Sequence, residues 1–265
     1  LLLFGWSQGD LPGLWHRMKP LPGLAITALV SLPWYGAAVL VEGEPFWRSF
    51  FGYHNLQRFT QVVNNHQAPW WLFLVVLLVA SLPASPLLLL GLARGIGPVR
   101  LAWRPCQPVA PELSLQRFAS CWLLAVLLFF TAAATKLPSY WLPATPAAAL
   151  LIALTAQDDL DRASRWAWRC TLALTAVLTA GFLASALWVP LINDPEMPTL
   201  AAELLAAHWL PLAGGLFGLA FLLALRSRAN GPRALLALQL PLVAFVPLVL
   251  LPGWALGDRL RGRPV

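Results

Sequence analysis

Long apolar runs separated by short polar segments make up most of this 265-residue chain. A helix needs about 20 apolar residues, with a range of about 17 to 25, to cross a bilayer. Because seven uncharged runs reach this length, the pattern predicts an all-α, polytopic bundle of about seven membrane-spanning helices. The runs are Pro20–Val41, Pro69–Ala93, Phe118–Thr135, Leu137–Ala156, Cys170–Ile192, Trp209–Leu225 and Ala234–Gly257. Only Lys136 separates the third run from the fourth, which predicts a tight hairpin there.

The composition agrees with this class, since the chain is 59% hydrophobic and only 11% charged. The formal charge of +7 would suit a nucleic-acid binder, but its distribution favours a membrane topology. By our assignment of loops, twelve of the 18 Lys and Arg residues lie on one side and six on the other. Cytoplasmic loops carry the excess of Lys and Arg. We therefore expect residues 44–69, Lys136 and the C-terminal tail to face outward, and we expect no nucleic-acid partner.

The outward segment 44–69 is rich in aromatic and hydrogen-bonding residues. Its first part, "EPFWRSFFGYHNLQRF", interleaves five aromatic side chains with two arginines, His54 and Asn55 before it reaches Phe59. A helix would place His54 and Arg58, four positions apart, on one face and aromatics on the others. Such a helix is typical of one that lies in the membrane interface.

The polar residues of this side have the chemistry of a phosphate site. The planar guanidinium of Arg58 can donate two parallel hydrogen bonds to a phosphate, and Lys136 would add a point charge. His54 and His66 could serve as metal ligands or proton carriers. A plainer interpretation stays open, in which the cations extend toward lipid headgroups and the histidines are simple hydrogen-bonding residues.

Two sequence blocks resemble the family 39 glycosyltransferases. The first block has the pattern R-F…H-x-A-P-x-W from Arg58 to Trp71, and the second is K-L-P-[ST]-Y from Lys136 to Tyr140. The family includes bacterial aminoarabinose transferases that act on lipid A and protein O-mannosyltransferases, and the resemblance covers about Leu32 to Leu151. It implies a GT-C-type enzyme of the bacterial inner membrane with its active site facing the periplasm. Such an enzyme transfers a sugar from a polyprenyl-phosphate carrier to a lipid or protein acceptor.

The resemblance also implies roles for individual residues. Arg58, with Lys136, would hold the carrier phosphate, and Tyr140, Asn55 and His66 would line the active cavity. A family histidine that assists a divalent metal ion falls at His54 or, one position later, at Asn55.

The family's catalytic acid, often Asp-Glu in the first outer loop, has no counterpart in this chain. The opening letters "LLLFGW" look like the end of an interrupted apolar segment. We therefore expect a fragment of a longer protein, inactive alone, with residues 1–257 in the membrane and 258–265 starting an outward tail or domain. A transporter or lipid flippase is the alternative; the absence of charged residues from the seven runs and of a convincing internal repeat favours the enzyme.

Overall fold

The computed structural model describes residues 1–62, 68–100, 111–157, 161–195, 197–227 and 231–261, and their regular elements are all helical. Short helices α1 (Leu2–Ser7) and α2 (Leu11–Met18) come first. The remaining α-helices are α3 (Pro20–Glu42), α4 (Glu44–Trp47), α5 (Arg58–Thr60), α6 (Leu72–Ala80), α7 (Ser85–Arg100), α8 (Pro111–Ala132), α9 (Thr145–Gln157), α10 (Arg162–Leu183), α11 (Ser185–Trp188), α12 (Leu200–Ala206), α13 (Trp209–Arg226), α14 (Gly231–Phe245) and α15 (Leu251–Arg261). Two π-helical stretches, Arg48–Gln57 and Val246–Leu250, and two 3₁₀ helices, Pro138–Ala144 and Val189–Leu191, join some of them.

Six helices of the described residues are long and apolar enough to cross a membrane, or up to seven with one bent pair counted as a span. The bent pair is α6 with the first part of α7, Ser85–Gly97. The predicted all-α membrane bundle is therefore confirmed. The proposed boundary between residues 257 and 258 stays a prediction.

Two predicted spans differ from the helices of the structure. The run Pro69–Ala93 is not one helix, because α6 ends at Ala80 and α7 begins only at Ser85. Pro83 lies in this break, and a proline disfavours helical conformation in the residue before it. The run Cys170–Ile192 is likewise displaced, since α10 covers Arg162–Leu183 instead.

The earlier start of α10 has a local cause. The carboxylate of Asp161 accepts a hydrogen bond of 2.7 Å from the backbone N–H of Ser164, which caps the helix. The arginines at 162, 165 and 169 consequently lie on exposed positions of the first turns rather than in a loop. At the other end, the chain leaves the α-helix at Ala184, ahead of Pro190.

The chain divides into two compact units, and the first comprises Leu1–Ala80 and Gly91–Leu151. In this unit α1 packs against α8, with the rings of Phe4 and Phe118 edge to face at 5.6 Å. Arg117 of α8 donates from Nη1 to the carbonyl of Ser7 at 3.2 Å and is only 2% exposed. Arg117 is one of the twelve basic residues that the sequence pattern placed in loops on the cytoplasmic side; it lies within α8 instead, so its placement in a loop was wrong.

The second unit comprises Ser81–Leu90 and Ile152–Val265. Here α10 packs along α13, and α13 packs against α14. The side chains of Phe182 and Phe217 stack at 5.6 Å between the first two of these helices. Close approach is possible because Gly214 of α13 leaves room for the side chain of Leu183.

Candidate functional site

Segment 44–69 begins as a helix held against α3 by aromatic side chains. Phe46 lies 6.1 Å from Trp34, and Phe50 lies 5.6 Å from Tyr35, measured between ring centroids. Aromatic pairs at such distances are favourable beyond the area that they bury. The predicted helix is therefore confirmed for residues 44–60 of this segment, and α3 supplies the surface on which it rests.

The helix changes its winding on the approach to Arg58. Residues Arg48–Gln57 form a π-helix, in which hydrogen bonds join residues five apart, and α5 then begins at Arg58. The amide Nδ2 of Asn55 donates at 2.5 Å to the carbonyl of Phe50, five residues earlier. Asn55 thereby satisfies a backbone acceptor of the segment that presents Arg58.

Three hydrogen bonds join the end of this segment to the turn that follows α8. The backbone N–H groups of Ala134 and Thr135 donate to the carbonyls of Phe59 and Arg58, at 2.9 and 3.1 Å. The hydroxyl of Thr135 donates to the carbonyl of Gln61 at 2.9 Å. The first sequence block is thus fixed to the residues that immediately precede the second block.

A cavity of about 300 Å³ lies where the two blocks meet. Ring contacts run along its wall: Phe59 and Phe129 are 5.2 Å apart, and Phe130 and Tyr140 are 4.9 Å apart. The described lining residues are Asn55, Arg58, Phe59, Phe129, Phe130, Ala133 and Tyr140. Three residues predicted for the site, Asn55, Arg58 and Tyr140, therefore share one cavity.

Arg58 gives this cavity its charge. Its Nε is buried and has no hydrogen-bond partner among the described residues. An unsatisfied buried donor costs about 1–3 kcal/mol, and none of the described lining residues is an Asp or Glu. The guanidinium consequently keeps hydrogen-bonding capacity and charge that an anionic ligand could use.

Lys136 lies beside the cavity and is not one of its described lining residues. Its half-buried ammonium donates to the carbonyl of Ala133 at 2.7 Å, so the side chain folds back onto its own turn. Ala133 itself lines the cavity. A role for Lys136 in phosphate binding stays a prediction. It would require the ammonium either to give up its hydrogen bond to the Ala133 carbonyl or to donate to this carbonyl and the phosphate together.

The two candidate metal ligands fall outside what the structure describes: His66 lies within residues 63–67, and of His54 only the backbone is described. Among the side chains that are described, no group of three His, Cys, Asp or Glu residues could hold a metal ion. The described lining of the cavity includes none of these four residue types. These residues do not fit a metal centre, and we derive no chemical step through one.

Sequence reasoning missed Phe129, Phe130 and Thr135 as parts of the site. Phe129 and Phe130 occur in an unbroken apolar run, where cavity-facing and lipid-facing aromatics look alike. Thr135 offered a weak signal, since it is a polar residue at the end of that run and next to Lys136.

Curated proteins similar to this chain share one description. An undecaprenyl phosphate-alpha-4-amino-4-deoxy-L-arabinose arabinosyl transferase of Serratia proteamaculans is 33% identical over 204 residues, which are 72% of this chain and 34% of that protein. One of Sodalis glossinidius is 33% identical over 85% of this chain and 37% of its own length. One of Pseudomonas aeruginosa is 36% identical over 52% of this chain and 23% of its own length.

No protein-family model matches the chain, and no solved structure matches it significantly. The chain spans about a third of the length of the first two curated relatives. The expected resemblance to lipid-linked-sugar glycosyltransferases is nevertheless confirmed, because these relatives carry that description. The chain is similar, over the aligned residues, to part of the undecaprenyl phosphate-aminoarabinose arabinosyl transferases.

Proposed function

We propose that this chain supplies the donor-phosphate side of the active site of a membrane glycosyltransferase. The donor would be a sugar on a polyprenyl phosphate, of the kind named for the relatives, and the acceptor a lipid such as lipid A. The enzyme would lie in the bacterial inner membrane, with this cavity facing the periplasm. The observation that supports this proposal most directly is that Arg58 lines an aromatic cavity to which both sequence blocks contribute.

The chemistry is a displacement at the anomeric carbon. An acceptor hydroxyl oxygen forms the new bond to that carbon, while the bond from the carbon to the phosphate oxygen breaks. The phosphate leaves with the bonding electron pair, and the acceptor proton passes to a base, for which the described lining residues offer no Asp or Glu. Arg58 would stabilise the negative charge that grows on the leaving phosphate. Preorganised donors of this kind are worth roughly 3–4 kcal/mol each.

The aromatic wall would strengthen this effect. Phe59, Phe129 and Phe130 line the cavity together with Arg58, and charge interactions would become stronger once a bound carrier displaces water from it. The same rings suit the first isoprene units of the carrier, which are apolar. The described residues thus offer one charged group for a phosphate and an apolar wall for the attached chain.

Transport without chemistry is the weaker proposal. The relatives' names describe a transferase, and the described cavity opens around a single cation at a helix–turn junction rather than along a polar path.

The test is Arg58→Ala in the full-length protein, reconstituted in liposomes with a labelled polyprenyl-phosphate sugar and its acceptor. We expect transfer to fall on the order of a hundredfold, as for loss of one well-placed donor. Arg48→Ala is the matched control, because Arg48 is exposed, pairs with Glu44 at 2.6 Å on the same segment, and does not line the cavity. Equal activity of the two variants would remove Arg58 from the site.

A further inference from the structure

Thr135 joins the two blocks through both its backbone and its side chain. It is 1% exposed and is not one of the described lining residues of the cavity. Its backbone N–H donates to the carbonyl of Arg58, and its hydroxyl donates across 74 positions of sequence to the carbonyl of Gln61. Thr135 therefore forms hydrogen bonds to Arg58, which gives the cavity its charge, and to Gln61, three positions later.

These bonds matter because α5 is short. The last carbonyls of any helix have no partner within it, and α5 contains only Arg58–Thr60 before the backbone turns extended at Gln61. The carbonyls of Arg58, Phe59 and Gln61 are satisfied by Thr135 and Ala134 instead. Among these three bonds only the Thr135 hydroxyl is a side-chain donor, so only it can be removed without changing the backbone.

We propose that Thr135 is a positioning residue for the transfer reaction, whose hydroxyl fixes the end of α5 and thereby the direction of the Arg58 guanidinium. This inference rests on the proposed function of Arg58. The planar guanidinium binds a phosphate with directional hydrogen bonds, and a misplacement of about 1 Å at a reacting centre can lower a rate about a hundredfold. Release of the Gln61 carbonyl leaves two backbone bonds in place, so a smaller loss, about tenfold in kcat/KM, is expected.

The direct test is Thr135→Val in the reconstituted full-length enzyme. Valine keeps the branched shape and the backbone N–H but places a methyl group where the hydroxyl was. Thr135→Ser keeps the hydroxyl and should stay within about twofold of wild type. Thr60→Val is the matched control, because the Thr60 hydroxyl bonds the carbonyl of Leu56 at 2.9 Å, in the preceding π-helix of the same segment, and does not join the two blocks.

A stability effect is separated from positioning by combining variants. If Thr135 acts through Arg58, Thr135→Val should cause no further loss in an Arg58→Ala background. A merely structural role would lower the activity of both backgrounds by the same factor, in step with a lower melting temperature.

The outcomes distinguish the two proposals. If Arg58→Ala is as active as Arg48→Ala, the proposed function itself fails. If Arg58→Ala is strongly impaired while Thr135→Val is as active as Thr60→Val, only the positioning role is overturned. Equal fold-losses from Thr135→Val in the wild-type and Arg58→Ala backgrounds would overturn it as well.

Discussion

Gly95 allows α7 and α8 to approach each other closely, and Gly95→Ala should destabilise the first unit. A Cβ added at Gly95 would lie 2.8 Å from the Cβ of Ser120 and 3.0 Å from the carbonyl oxygen of Gln116, and closer still to the Ser120 Oγ. Rotation of the serine hydroxyl relieves only the last of these contacts. The other two involve atoms fixed to the backbone of α8, so the helices themselves must separate.

The expected magnitude follows from two opposing terms. Forcing an extra methyl group into a packed contact costs typically about 1–3 kcal/mol. Alanine in place of glycine within a helix returns roughly 0.5–1 kcal/mol. Gly97→Ala measures the second term alone, because Gly97 lies in the same helix and an added Cβ would meet nothing within 4 Å. The free energy of unfolding should therefore be about 1–3 kcal/mol lower for Gly95→Ala than for Gly97→Ala.

Thermal unfolding of the detergent-solubilised full-length protein is a suitable assay. For a domain of 150–250 residues, 1 kcal/mol corresponds to roughly 2–4 °C in Tm, and the shift is smaller for a longer protein, so Gly95→Ala should melt below Gly97→Ala by up to about 12 °C. Ser120→Gly removes two of the clashing atoms and should recover part of the loss in the double variant. Equal Tm values for the two alanine variants would refute the close packing of α7 on α8.

Two further predictions concern a surface carboxylate and the cavity wall. The hydrogen bond from the Arg17 guanidinium, opposed by partial desolvation, lowers the pKa of Asp10, which also caps α2 by accepting from the N–H of Gly13 at 3.0 Å. A lowered folded-state pKa means that this stabilisation is present at neutral pH and is lost as the pH falls through that pKa. Asp10→Asn keeps a good helix cap but removes the charge. The Tm difference between wild type and variant should therefore shrink as the pH is lowered from 7 through the pKa of Asp10. A Tm difference that does not change with pH would contradict the link between this pKa and stability. At Tyr140, whose ring lies against Phe130, Tyr140→Phe should keep transfer within a few-fold while Tyr140→Ala raises the KM for the donor, and identical KM values for both would show that the ring is no part of the site.

Much of the fold was predictable because a membrane imposes length and polarity on each helix. The run at Trp209–Leu225 coincides almost exactly with α13, and the third and fourth runs meet, as expected, at a short turn around Lys136. Apolarity alone cannot locate the start of a helix whose first turns contain arginines. For this reason α10 begins at Arg162, eight residues before the predicted start at Cys170. The burial of Arg117 was also unpredictable, since its acceptor is the backbone carbonyl of Ser7, distant in sequence.

The site was partly predictable for a different reason. Arg58 and Tyr140 could be named from their sequence blocks, and the structure brings both to one cavity. Phe129 and Thr135 could not, because their contribution depends on which residues at the end of α8 and in the following turn meet segment 44–69. The π-helical winding before Arg58 also leaves no periodic signature in so short a stretch.

The hydrogen bonds between residues 58–61 and 134–135 have a consequence for the exchange of segments between relatives. Bonds to backbone carbonyls constrain geometry more than side-chain identity, so the intervening helices can diverge or change loop length as long as both ends still meet. A chimera that takes residues 44–62 from a relative and keeps residues 133–140 would join two surfaces that were not selected together. One that transfers both segments carries the whole contact with it, so the inherited unit is a discontinuous pair of segments.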